Sequence, residues 1–133
     1  TTVGGDPTKV NGLSVPLADN WVLTKDEVAE VKKATDAYNV AIQAIATEKG
    51  LAFVDTKVTL TQLSNGGIRF GNYVMSSTYV TGGAFSLDGV HPSARGYGLI
   101  ANIFIDAINA KYGSTLRHVD LALYPIQYPQ TIQ

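Results

Sequence analysis

The sequence contains no cysteine. Disulfides and thiolate metal sites are therefore excluded, although the compartment stays open. There are two histidines, His91 and His118, and no His-x-x-x-His or similar pair, so a zinc site is not expected. No apolar run reaches membrane-spanning length, and no signal-peptide pattern is present. Placement is left open; secretion or attachment to a bacterial cell envelope is compatible with these residues. A Gly-rich phosphate loop and a dinucleotide fingerprint are both missing, so no cofactor is implied. Charged residues make up only 16%, the net charge is −1, and the one adjacent basic pair, Lys32-Lys33, lies in a helical pattern. Nothing here offers the basic footprint that a nucleic-acid partner needs.

What is present suits one domain with a core: 133 residues, 45% of them hydrophobic. Residues 1–20, rich in Gly, Pro, Asn, Asp and Thr, read as an irregular lead-in with an extended piece near Leu13–Val15, as if cut from inside a larger fold. Thr24-Lys25-Asp26-Glu27 is a capping box. Val28, Val31, Tyr38, Ile42 and Ile45 then recur at helical spacing, and Gly50 stops the pattern. The spacing predicts a helix over 25–49, a crossover packing on a sheet. Leu51-Ala52-Phe53-Val54 has no alternation and reads as a buried parallel strand, with Asp55 at its carboxyl end as a cap or a site-lining residue. A short helical turn or a loop over 56–63 and a turn at Ser64–Gly67 follow. Residues 68–80 hold the β-formers of a hairpin, centred on Gly71-Asn72 or Ser76-Ser77 and placed to wall a pocket or merely to cover the core.

The chain is organised around residues 82–113. Asp88 and His91 stand three apart across a Gly-Val turn, followed by Pro92. An imidazole with a carboxylate that fixes its tautomer is what a serine hydrolase needs besides its nucleophile. Pro92 keeps His91 out of helical geometry, and Ser93 is a good N-cap or first-turn residue. Tyr97, Ile100, Ile103, Phe104, Ala107, Ile108 and Tyr112 form one apolar stripe closed by Gly113. Gly96 and Gly98 inside this helix imply close packing of its first turn, and Arg95 has two readings, a place near the site or, by preference, the helix's solvated face. Residues 114–133 read as a tail with Pro125 and Pro129, His118 and Asp120 at the surface, and a short strand at Leu121–Tyr124.

The string Phe85-Ser86-Leu87-Asp88-Gly89-Val90-His91-Pro92-Ser93, with Gly96-Tyr97 and Ala101-Asn102 after it, resembles the last sequence block of the SGNH (GDSL-type) esterases and lipases. The match covers about thirty residues. It implies an α/β chain that is the C-terminal part of a flavodoxin-like three-layer α/β/α fold, with two long helices, at least one parallel-type strand and a β-hairpin excursion. It also implies that His91 is the base that activates a serine and that Asp88 orients it. The family's Gly-Asp-Ser nucleophile block and its Gly-x-Asn-Asp oxyanion string do not occur; Gly5-Asp6-Pro7 has proline where the serine would stand. Ser86 and Ser93 lie near the pair but not in a nucleophile-type turn.

The expectation is thus a C-terminal segment of an acylhydrolase, inactive alone and partnered by the N-terminal half of the same enzyme. Its substrate would be a small ester, lipid or acylated carbohydrate. Half a doubly wound fold leaves apolar surface uncovered, so association into a homo-oligomer is also expected. The competing reading is a non-catalytic binding or structural α/β module, in which Asp88 merely pairs with His91. A ring opening onto a cleft favours the first reading, and a ring closed in a core favours the second.

Overall fold

The computed structural model describes residues 2–70 and 72–126. The chain is mixed α/β: helix α1 (Lys25–Glu48), helix α2 (Thr56–Ser64), strands β1 (Ile68–Phe70) and β2 (Tyr73–Met75), and helix α3 (Ala94–Tyr112). It divides into two units, residues 1–42 and 43–133, with the boundary inside α1.

In the first unit, residues 2–18 form turns and two isolated bridges, Thr2 with Val10 and Asn11 with Val15, before a 3-10 turn at Asp19–Trp21. Asp6 of the Gly5-Asp6-Pro7 string accepts from the Thr8 amide at 2.9 Å and the Thr8 hydroxyl at 2.7 Å, so it is a turn-former. The capping box of α1 forms as read: the Glu27 amide donates to Thr24 Oγ1 at 3.3 Å, and the Thr24 amide donates to Glu27 Oε2 at 2.7 Å. These bonds hold the Glu27 carboxyl below its ordinary value, the Thr24 amide being the largest cause. The apolar stripe of α1 is not covered; Val31 is 58% exposed and Tyr38 68% exposed, and Ala46 is the buried residue of this helix. The expected packing of this helix on a sheet is therefore not observed.

The second unit begins in the last turn and a half of α1. Leu51–Val54 is not a strand, contrary to expectation. A parallel strand exists only through a neighbour's ladder, and the described residues provide none. Asp55 is a cap: its Oδ1 accepts the Lys57 and Val58 amides at the start of α2. The hairpin is antiparallel in the register Ile68 with Met75 and Phe70 with Tyr73, which places positions 71 and 72 in its loop; Gly71 itself lies outside the described residues, as does Pro129 of the tail. The core gathers Leu63, Met75, Ala84, Leu99 and Leu121, with Phe70, Phe85 and Ile103 against it.

Both α3 glycines are explained by contact. A Cβ at Gly96 would stand 2.2 Å from the Ala84 carbonyl oxygen, and one at Gly98 would stand 2.8 Å from Leu121 Cδ2. Helix α3 also holds the tail through side chains seven apart. The Asn109 amide group bonds both the N–H and C=O of Leu116, Asn102 does the same for Val119, and Arg95 Nε donates to the Tyr124 carbonyl at 3.0 Å. Two further expectations are corrected here. Arg95 is not solvated but 8% exposed, with its guanidinium 4.8 Å from the Tyr73 ring centroid, where a cation–π contact offsets burial. Leu121–Leu123 is a 3-10 turn rather than a strand, because Asp120 Oδ1 caps the Ala122 amide and Leu121 turns inward.

Candidate active site

The segment leading into α3 is a narrow loop whose two sides are tied together. The Ser93 amide donates to the Ala84 carbonyl at 2.9 Å, Phe85 bridges Pro92, and the Ser86 amide donates to the His91 carbonyl at 2.8 Å. At the tip, the Gly89 amide closes on the Ser86 carbonyl at 3.0 Å, and Gly89 takes φ +71°, a conformation that glycine reaches without strain. Ser93 anchors the helix end. It is 5% exposed, its hydroxyl donates to the Gly83 carbonyl at 2.6 Å, and it accepts the Gly96 amide at 3.0 Å.

This loop brings the two sequence-predicted residues together. His91 Nδ1 lies 2.5 Å from Asp88 Oδ2. Asp88 Oδ1 accepts the Ser86 hydroxyl at 2.6 Å and the Val90 and His91 amides at 2.9 Å each. These donors hold the Asp88 carboxyl well below the usual carboxylate range, the Ser86 hydroxyl being the largest cause and the Val90 amide the next. The carboxylate is then acceptor-only, so Nδ1 is the ring nitrogen that donates to it, and in the neutral ring Nε2 carries the lone pair. The His91 side chain is 69% exposed, and Nε2 has no hydrogen-bond partner among the described residues.

Neither nearby serine is placed as a nucleophile. The Ser86 proton is directed to Asp88, and the Ser93 proton to Gly83. The expected contact between Asp88 and His91 is present, but sequence reasoning missed that the Ser86 hydroxyl bonds the carboxylate. Its position two residues before Asp88 was the available signal. Sequence reasoning also missed Tyr79, whose hydroxyl donates to the Leu87 carbonyl at 2.6 Å across eight residues. No local pattern announces that contact.

Beside the pair lies an apolar groove of about 230 Å³ lined by Val54, Leu60, Val90, Pro92, Ile100 and Phe104, among others. Val90 and Pro92 flank His91 and face this groove. The described residues hold no cluster of three or more His, Cys, Asp or Glu side chains fit for a metal ion. The other histidine pairs with Asp106, Nε2 to Oδ1 at 2.7 Å, on exposed surface. No helix among the described residues is long and apolar enough to cross a membrane. Compared with family descriptions, curated proteins and solved structures, the chain has no significant match in any of the three.

Proposed function

We propose that this chain carries the acid–base half of a serine ester hydrolase of the SGNH kind, with the nucleophile and oxyanion donors supplied by an upstream half of the same protein. One observation carries the reading: the Asp88 carboxylate holds the His91 ring through Nδ1 at 2.5 Å while the ring stands open to solvent with Nε2 unbonded among the described residues. An imidazole kept for packing would be enclosed. Instead, the base is oriented and its acceptor nitrogen is available.

In the proposed reaction a serine hydroxyl from upstream attacks an ester carbonyl. His91 Nε2 takes the hydroxyl proton and later returns it to the leaving alkoxide oxygen. Asp88 accepts the Nδ1 proton's hydrogen bond throughout and stabilises the imidazolium without itself being protonated. Its strongly acidic carboxyl suits that role. The substrate class is a lipid or acylated-carbohydrate ester, and this chemistry requires no cofactor.

The complete fold in this proposal is the flavodoxin-like three-layer arrangement. The unpaired apolar run 51–54 would join a parallel sheet there, and the groove beside α3 would be covered. Without that half, Val90 at 71% exposed and Phe104 at 46% favour association with a second copy. The test is hydrolysis of a short-chain p-nitrophenyl ester by the chain joined to its upstream half. His91→Ala should abolish turnover, and retained activity would remove His91 from the mechanism.

A further inference from the structure

We propose that Tyr79 is a positioning residue for the Asp88–His91 pair, acting through the Leu87 carbonyl; this rests on reading the pair as catalytic. The Tyr79 hydroxyl donates to that carbonyl at 2.6 Å. The Leu87 carbonyl belongs to the peptide unit that ends at Asp88 Cα, and peptide units are planar. Holding the oxygen therefore sets the plane from which the Asp88 side chain departs. The tyrosine ring also lies along the turn, since a Cβ at Gly89 would be 3.6 Å from Tyr79 Cε2. Polar and steric contacts from one side chain thus meet the tip on both sides of Asp88.

The backbone behind Tyr79 gives a second, independent observation. Val80 has φ +68°, the only non-glycine among the described residues with positive φ, and the Thr81 amide closes on the Tyr79 carbonyl at 2.8 Å. This is a γ-turn built on a β-branched residue, a rare and strained choice. Gly82 and Gly83 stand two and three positions further on, and Gly83 takes φ +76° as glycine can without strain. Strain kept at a β-branched residue points to a constraint on the neighbouring side chain. That neighbour is Tyr79. The Gly82 amide, bonded to the Thr78 carbonyl at 2.9 Å, fixes the same bend from the other side.

The test reads the imidazole itself. In the ¹⁵N-histidine-labelled chain, with His91→Ala assigning the signals, the wild type should show one tautomer protonated at Nδ1 and a downfield Nδ1 proton. Tyr79→Phe keeps the ring and removes the hydroxyl. It should lose the downfield proton and draw the two ring-nitrogen shifts toward each other, with an unchanged circular dichroism spectrum. Val80→Gly frees the strained backbone and leaves the hydroxyl in place; it should move the shifts in the same direction by less, and it decides the matter if Tyr79→Phe does not fold. Wild-type shifts in a folded Tyr79→Phe, or in Val80→Gly when that variant decides, overturn the proposal. The spectrum reports the geometry of the pair whether or not the pair catalyses anything. A perturbed spectrum together with absent ester turnover in the complete protein would sink the hydrolase reading alone. Where turnover exists, Tyr79→Phe should lower kcat by up to roughly a hundredfold at unchanged KM.

Discussion

Gly96→Ala is expected to loosen the base of the catalytic-type loop. The new Cβ would stand 2.2 Å from the Ala84 carbonyl oxygen and 3.1 Å from Pro92 Cβ. The first distance is about 1 Å inside ordinary contact, and the atom met is backbone. That carbonyl also accepts the Ser93 amide, and the Ser93 hydroxyl caps the same helix, so the oxygen cannot move without breaking the tie that closes the loop. Overpacking of this kind costs up to about 3 kcal/mol. Alanine returns about 1 kcal/mol of helix propensity. The balance is a loss of about 2 kcal/mol, which lowers Tm by roughly 8 °C for a domain of this size. Gly98→Ala is the internal control: it meets a rotatable leucine methyl, not backbone, and should fall within about 1 kcal/mol of wild type. Thermal unfolding followed by circular dichroism measures both. A Gly96→Ala chain as stable as wild type would refute the close approach of α3 to residue 84.

Ser86→Ala removes the largest cause of the Asp88 shift and should move that carboxyl back up toward its ordinary value, read by carbon NMR titration; an unmoved titration would contradict the assigned bond. A depressed native pKa contributes stability that is present above the unfolded value of 3.8 and lost as pH falls through the lower native value. The Asp88–His91 contact should therefore survive at pH 4, which the His91 amide shift can follow. Thr24→Ala should destabilise α1 by about 1 kcal/mol, seen as lost helicity near its N-terminus by NMR. On the proposed hydrolase reading, Asp88→Asn in the chain joined to its upstream half should cut kcat about ten-thousandfold through loss of the fixed tautomer, while ester binding persists.

The parts that were legible in the sequence are those decided within three or four residues. The capping box at Thr24, the caps at Asp55 and Ser93, the Gly113 stop and the Asp88–His91 contact all depend on short-range geometry that residue types announce. The two α3 glycines were legible too, because glycine in a helix is unfavourable unless something approaches closely. What failed depended on distant segments. Leu51–Val54 has the composition of a buried strand, but composition cannot supply the neighbouring strand. Arg95 reads as a solvated helix residue until the tail folds back to offer the Tyr124 carbonyl. Leu121–Leu123 looks extended by propensity, and the Asp120 side chain overrides that by capping. Tyr79 carries no signal, since its partner is a backbone carbonyl eight residues away.

The most direct measurement of the central claim is turnover of a short-chain p-nitrophenyl ester by the chain joined to its upstream half, compared with the same protein carrying His91→Ala. The account predicts hydrolysis in the first and background release in the second, with both proteins equally folded. Equal hydrolysis in the two, or none in the parent, would contradict it.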